Sequence, residues 1–252
     1  EAIFVNGTRL PLDELLAANT EKYTSVYADR GKQGEPTRIS DGKIHMKEYT
    51  GEKVDKVKVF IPVFPGTNCD YDTMRAFERA GAEVELGVFK NLTGEDVIAS
   101  IKEMTEHIAK CHIMALAGGF SAGDEPDGSG KFIANVLNNK DVADAIHALL
   151  DRGGLMLGIC NGFQALVKSG LLPYGRLGMT TQASPTLFRN DINRHISQIV
   201  STRIGTVASP WLRSFEVGDL HSIAVSHGEG KFVVSDEMAE ELFRNGQVAF
   251  QY

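Results

Sequence analysis

The chain has 252 residues, 42% of them apolar and 23% charged, with a net charge of −7 at pH 7. That composition is globular rather than disordered, and the length suits one large domain or one domain with an appendage. The acidic balance, without a Lys/Arg-rich run, argues against a general nucleic-acid binder, and no apolar run approaches the roughly 18 residues needed to cross a bilayer.

The opening residues EAIFVNGTRLPLDELL lack a signal peptide's basic start and apolar core, so a cytoplasmic protein is the simplest expectation. Residues 1–53 are polar, contain RGKQGEPTRISDGK (30–43) and predict one short helix, over 11–19. They are expected to be a linker or a piece of an adjoining domain. The absence of an initial Met fits an excised fragment as well as a trimmed N-terminus.

From Val54 the texture changes. VKVFIPV (57–63) predicts a buried strand, PGTNCD (65–70) a turn, and 70–81 a helix capped by Gly81. A strand follows over 83–89, then an amphipathic helix over 93–110 with Thr93 as N-cap. CHIMALA (111–117) is the next strand, ended by the glycine-rich 118–130. Residues 140–153 predict a helix, 154–159 a strand and 161–170 a helix. Beyond Leu171 the alternation weakens: 197–208, 221–227, 231–234 and 247–252 read as strands, with one helix over 236–246. Strand–helix alternation implies right-handed βαβ crossovers and a three-layer α/β sandwich with a mostly parallel central sheet.

Three stretches carry chemistry. In GICNGFQ (158–164), Cys160 sits at a strand-to-helix turn between Gly158 and Gly162, the thiol form of the G-x-S-x-G elbow. Ligands gather at the carboxyl ends of parallel strands, and a helix N-terminus favours thiolate. The Asn161 N–H can point into an oxyanion hole. The competing reading is a small buried core cysteine. Cys160, Cys69 and Cys111 lie far apart in sequence, which predicts reduced thiols rather than a disulfide framework or zinc site.

The second stretch, ALAGGFSAGDEPDGSG (115–130), should reach the same sheet edge, with N–H groups suited to a carbonyl oxygen or carboxylate. The alternative is a flexible surface loop; a P-loop is a poor fit, because no Gly-Lys-Ser/Thr ending is present. The third, AVSHGEG (224–230), puts His227 and Glu229 two residues apart at a strand end, where a carboxylate can orient an imidazole. Its alternative is a structural or substrate-contacting loop. No histidine has metal-ligand spacing with Asp, Glu or Cys.

GICNGFQ resembles the nucleophile motif of class I glutamine amidotransferases. With PGTNCDYD (65–72), AGGFSAGDEPDGSGKFIA (117–134), SPTLF (184–188) and HGEGKF (227–232), it resembles the glutaminase domain of phosphoribosylformylglycinamidine synthase, in its long single-chain form. The resemblance covers residues 54–252 and makes 1–53 the tail of a preceding synthetase region. It implies glutamine hydrolysis through a Cys160 thioester, with oxyanion contacts from Asn161 N–H and the Gly119–Phe120 backbone and a glutamine site including Gly118 and Gln164. It implies no cofactor in this domain, ATP and Mg in the synthetase region, and glutamine and that region of the same chain as partners. The family's triad His and Glu lie in a downstream His-Pro-Glu pattern, which this sequence lacks. His227 and Glu229 then correspond to a separate His-Gly-Glu-Gly loop near the glutamine site, and the domain is expected to be incomplete at its C-terminal side. Two alternatives stay open: an inactive regulatory or structural module, and another cysteine hydrolase with His227 as base.

Overall fold

The computed structural model describes residues 2–18, 53–121 and 130–252. At the N-terminal side, β1 (Ala2–Val5) and β2 (Thr8–Pro11) pair as an antiparallel hairpin. Asn6 and Gly7 between them have φ of 49° and 81°, the two positive values of a type I′ turn. The expected lone helix is therefore corrected to a hairpin followed by a helix, α1, over residues 12–18; the apolar run interrupted by Asn-Gly is its sequence signal. The polar stretch 30–43 lies outside the described residues.

The predicted alternation produces one parallel sheet. Its strands are β3 (Lys58–Val63), β4 (Glu83–Val88), β5 (Ile113–Leu116) and β6 (Leu155–Gly158), ordered β4-β3-β5-β6. Helices α2 (Asp70–Arg79), α3 (Gly94–Lys110), α4 (Lys131–Leu137) and α5 (Lys140–Asp151) lie in the connections, and α6 (Asn161–Lys168) follows β6. β3 alternates across two apolar layers, as a strand covered on both faces must. Val59 and Ile61 bury against Met74 and Phe77 of α2, while Phe60 joins Met104, Ile108, Ile146 and Leu149 on the other face. Each such side chain contributes about 1.5–3 kcal/mol on full burial. Pro62, without an N–H, lies beyond the last β3–β5 partners, Val59–Ile113 and Phe60–Met114, and faces only Gly87 of β4.

Predicted caps appear where expected. The Thr93 hydroxyl accepts from Asp96 N–H and the Asp96 carboxylate accepts from Thr93 N–H, a reciprocal box at the start of α3. Gly81, at φ 90°, ends the turn after α2. α4 was not anticipated: KFIANVL is short and follows the glycine-rich stretch, and its Ile133, Ala134 and Leu137 are buried against the core.

After a turn at α7 (Leu171–Tyr174), the chain becomes antiparallel. β7 (Thr186–Phe188) pairs with β10 (Lys231–Val233), and β8 (Ile196–Ile204) lies between β9 (Leu220–His227) and β11 (Phe250–Gln251). α8 (Asp236–Arg244), capped by Ser235, precedes β11. Trp211 closes the edge of the parallel sheet: its indole N–H donates to Met156 C=O on β6 at 3.1 Å, and its ring meets Phe77. No helix among the described residues is long and apolar enough to cross a membrane.

Candidate functional site

Leu116 and Gly158 are register partners at the ends of β5 and β6, so the segments that follow them leave the same carboxyl edge. Cys160 is the N-cap of α6 with φ 52° and ψ −110°, a backbone state that non-glycine residues seldom occupy. Its C=O accepts from Gln164 N–H at 3.0 Å, so the helix begins directly behind the strained residue. The thiol is exposed, not packed in the core. Gly162 makes this elbow possible: a Cβ there would sit 2.1 Å from Leu116 O, so α6 rests backbone-to-backbone on β5.

Gly118 lies against Cys160, and Gly119 follows it against the loop after β3. A Cβ on Gly118 would lie 3.4 Å from Cys160 Cβ and 3.6 Å from Cys69 Sγ. Gly119 has φ 149°, and a Cβ there would meet Gly66 O at 2.5 Å and Asn68 N at 2.7 Å. The loop after β3 causes that crowding. Asn68 and Cys69 N–H donate to Gly118 C=O at 3.1 and 3.2 Å, and Thr67 bridges Gly119 in antiparallel fashion. PGTNCD therefore braces the glycine segment. Reading it as a turn missed this role, although its place after an apolar parallel strand puts it at the same edge.

Phe120 needs a change of role. Its N–H donates to Gly66 C=O at 2.8 Å, so that N–H is committed to the brace, while its side chain is 58% exposed. Within the glycine segment, the N–H groups of Gly118 and Gly119 have no main-chain partner among the described residues, and that of Phe120 does.

Asn161 and Gln164 are buried, at 1% and 7% exposure. Asn161 Oδ1 accepts from Ser121 N–H at 3.2 Å, and its Nδ2 donates to Gln164 Oε1 at 3.0 Å. Gln164 Nε2 donates to Glu229 C=O at 2.9 Å. This brings the third sequence stretch over α6. The motifs SPTLF and HGEGKF meet there as the β7–β10 ribbon, with Phe188 opposite Lys231 and Leu187 opposite Phe232.

The His227 ring is held by Asn190 and by the backbone of Gly230. Its Nδ1 pairs with Asn190 Oδ1 at 3.0 Å, and a Cβ on Gly230 would lie 2.3 Å from the ring, so the imidazole stacks on that backbone. Asn190, 4% exposed, also donates to His227 C=O and Arg194 C=O and accepts from Gly230 N–H. Burial, followed by the nearby His195, lowers the His227 pKa. Asn190 carried no signal in sequence, since a lone Asn between a strand and a turn is unremarkable. His112 and His147 accept main-chain N–H bonds from Lys58 and Leu177, as structural histidines. All three cysteines are free, and burial raises the Cys111 thiol to about 11. Among the described residues no group of three or more His, Cys, Asp or Glu is arranged to hold a metal ion.

A thiol on a strained strand-to-helix turn, beside a glycine segment at the carboxyl edge of a parallel sheet, has the arrangement of an amidotransferase-type cysteine site. Residues 56–252 match the CobB/CobQ-like glutamine amidotransferase domain. The chain is 33% identical over 198 residues to the phosphoribosylformylglycinamidine synthase subunit PurQ of Sulfurimonas denitrificans, spanning 78% of this chain and 75% of that one. It is 36% identical over 190 residues to the PurQ subunit of Dehalococcoides mccartyi, spanning 75% and 68%. The solved structure of PurLQS from Thermotoga maritima aligns with TM-score 0.53 at 28% identity, over 72% of this chain and 71% of that one. The chain belongs to the CobB/CobQ-like glutamine amidotransferase family and, within it, to the PurQ group.

Proposed function

We propose that this chain supplies ammonia to a phosphoribosylformylglycinamidine synthase by hydrolysing glutamine. The observation that carries the proposal is the strained Cys160 elbow against Gly118 and Gly119. The Cys160 thiolate attacks the side-chain carboxamide carbon of glutamine. Gly119 N–H and the N-terminal turn of α6 at Asn161 stabilise the tetrahedral oxyanion. The C–N bond breaks, and the nitrogen takes a proton and leaves as ammonia. Water then cleaves the glutamyl thioester to glutamate and free thiol. Gly118 and the Gln164-supported wall of α6 border the glutamine site. The ammonia is consumed at an ATP-dependent site that converts formylglycinamide ribonucleotide to its amidine.

Residues 54–252 form the amidotransferase unit in this proposal, a division supported by the family match over 56–252. Residues 1–53 connect it to a synthetase region on the same chain, in the cytoplasm. The acceptor of the Cys160 proton is a residue other than His227, which is supported by the hold of Asn190 and Gly230 on that ring.

The test uses the enzyme assembled with its synthetase. Cys160→Ala should abolish glutamine-dependent amidine synthesis and leave ammonia-dependent synthesis intact. Retention of more than about a tenth of the glutamine-dependent rate would sink the proposal, since removing an essential nucleophile costs orders of magnitude. His227→Ala should still form the glutamyl thioester; its complete loss would make His227 the base.

A further inference from the structure

We infer that Asn161 and Gln164 act as a side-chain amide relay that positions the oxyanion segment from the 227–230 loop. The chain of bonds has one direction. It starts at a main-chain donor, Ser121 N–H, passes through Asn161 Oδ1 and Nδ2, then Gln164 Oε1 and Nε2, and ends on a main-chain acceptor, Glu229 C=O. A carboxamide has one accepting and one donating end, so two in series join a donor to an acceptor in a single orientation each. Both side chains are buried, so losing one member removes a hydrogen bond that water does not readily replace inside the protein.

The ends of the relay give it meaning. Ser121 is three residues beyond Gly118, whose Cα side lies against Cys160. The loop after β3 fixes Gly118 and Phe120 from one side; the relay fixes Ser121 from the other. Glu229 lies in the loop that Asn190 ties together through His227 and Gly230. A displacement of that loop is therefore transmitted through Gln164 and Asn161 to the oxyanion donors. Asn161 and Gln164 are positioning residues in this scheme.

The kinetic part of the test rests on the proposed glutaminase activity; hydrogen exchange does not, so failure of one reading is separable from failure of the other. In the full chain, Gln164→Met should speed exchange at the Ser121 amide at least tenfold, although Gln164 makes no hydrogen bond to Ser121. In the assembled enzyme, the same variant should lower kcat for glutamine by about 100-fold, the usual penalty for a 1 Å misplacement, and leave KM within twofold. Asn161→Leu should behave alike, and the double variant should be no worse than either alone. Gln164→Glu is nearly isosteric and covers the case of a Met variant that does not fold. Its ionised carboxylate sets acceptor against the Glu229 carbonyl, whereas its protonated form donates to that carbonyl and accepts from Asn161. Ser121 protection and kcat in Gln164→Glu should therefore recover from pH 8 toward pH 5.5, relative to wild type. A tenfold rise in KM with kcat preserved would instead make Gln164 a direct substrate contact. Unchanged Ser121 exchange in both Gln164 variants would overturn the relay outright.

Discussion

Gly162→Ala is the most direct probe of the elbow. The added methyl would lie 2.1 Å from Leu116 O and 2.7 Å from Leu116 C and Cβ. Carbon–oxygen contacts settle at about 3.3 Å, so the first turn of α6 must retreat from β5 by roughly 1 Å. Overpacking of this kind costs about 1–3 kcal/mol, and the upper end applies because neither backbone can rotate aside. At about 2–4 °C per kcal/mol for a chain of this size, Tm should fall by about 6–12 °C. The same retreat moves Cys160 away from Gly119, so thioester formation should slow on the order of 100-fold. Thermal melts give the first number, and the rate of Cys160 alkylation by a glutamine-shaped chloroketone gives the second. Gly94→Ala is the control: it opens α3, its Cβ would meet nothing within 4 Å, and it should be neutral or stabilising by up to about 1 kcal/mol. If Gly162→Ala melts and reacts like Gly94→Ala, the backbone contact does not set the elbow.

Cys160→Gly should raise Tm while abolishing labelling there: releasing φ 52°, ψ −110° returns about 1–3 kcal/mol, against about 0.5–1 kcal/mol for glycine's greater unfolded freedom; a lower Tm would mark the thiol as packing. Iodoacetamide at pH 8 should modify the exposed Cys69 and Cys160 and spare Cys111, which is buried with its thiol pushed up to about 11; mass spectrometry before and after urea reads this, and Cys111 labelling in the native chain would contradict it. The depressed His227 pKa means that the unfolded chain binds that proton more readily, so its contribution to stability is present above about pH 6.5 and is lost as pH falls through the folded value. Urea midpoints between pH 8 and 5 should therefore fall less steeply in His227→Gln than in wild type; equal slopes would remove His227 from the acid response.

The parallel sheet was legible because three of its strands are short apolar runs and β4 alternates polar and apolar residues, each followed by a glycine-marked turn and, in most cases, a 3.6-period helix. KVFIPV shows this most plainly, since burial on both faces leaves no polar alternation to confuse the period. The elbow was legible for a related reason: two glycines at fixed offsets are demanded by backbone contacts that no other residue satisfies. What escaped notice depends on long-range pairing. Thr186–Phe188 is too short to announce itself as a strand, and only its partner Lys231–Val233 makes it one. Asn190 and the brace made by Thr67, Asn68 and Cys69 act mainly through amide and main-chain groups, whose partners lie tens of residues away. The commitment of Phe120 N–H to Gly66 C=O was invisible for the same reason, so the sequence could propose Gly119 and Phe120 only as equals.

That difference bears on how the site is built. A glycine segment at the end of a strand is flexible by composition, and the oxyanion hole proposed for it works only when its donors are fixed before the charge develops. Here rigidity is imported. The loop after β3 holds the segment through three main-chain hydrogen bonds, using Gly118 C=O and Phe120 N–H and leaving Gly119 N–H uncommitted among the described residues. The α6 amides hold Ser121 from the opposite side. The sheet alone positions Cys160 because a strained turn between two regular elements has few ways to move. It cannot by itself position Gly119, which lies past the last β5–β6 pair. In the proposed reaction, the PGTNCD loop and the 227–230 loop are therefore as necessary as the elbow, although neither supplies the nucleophile.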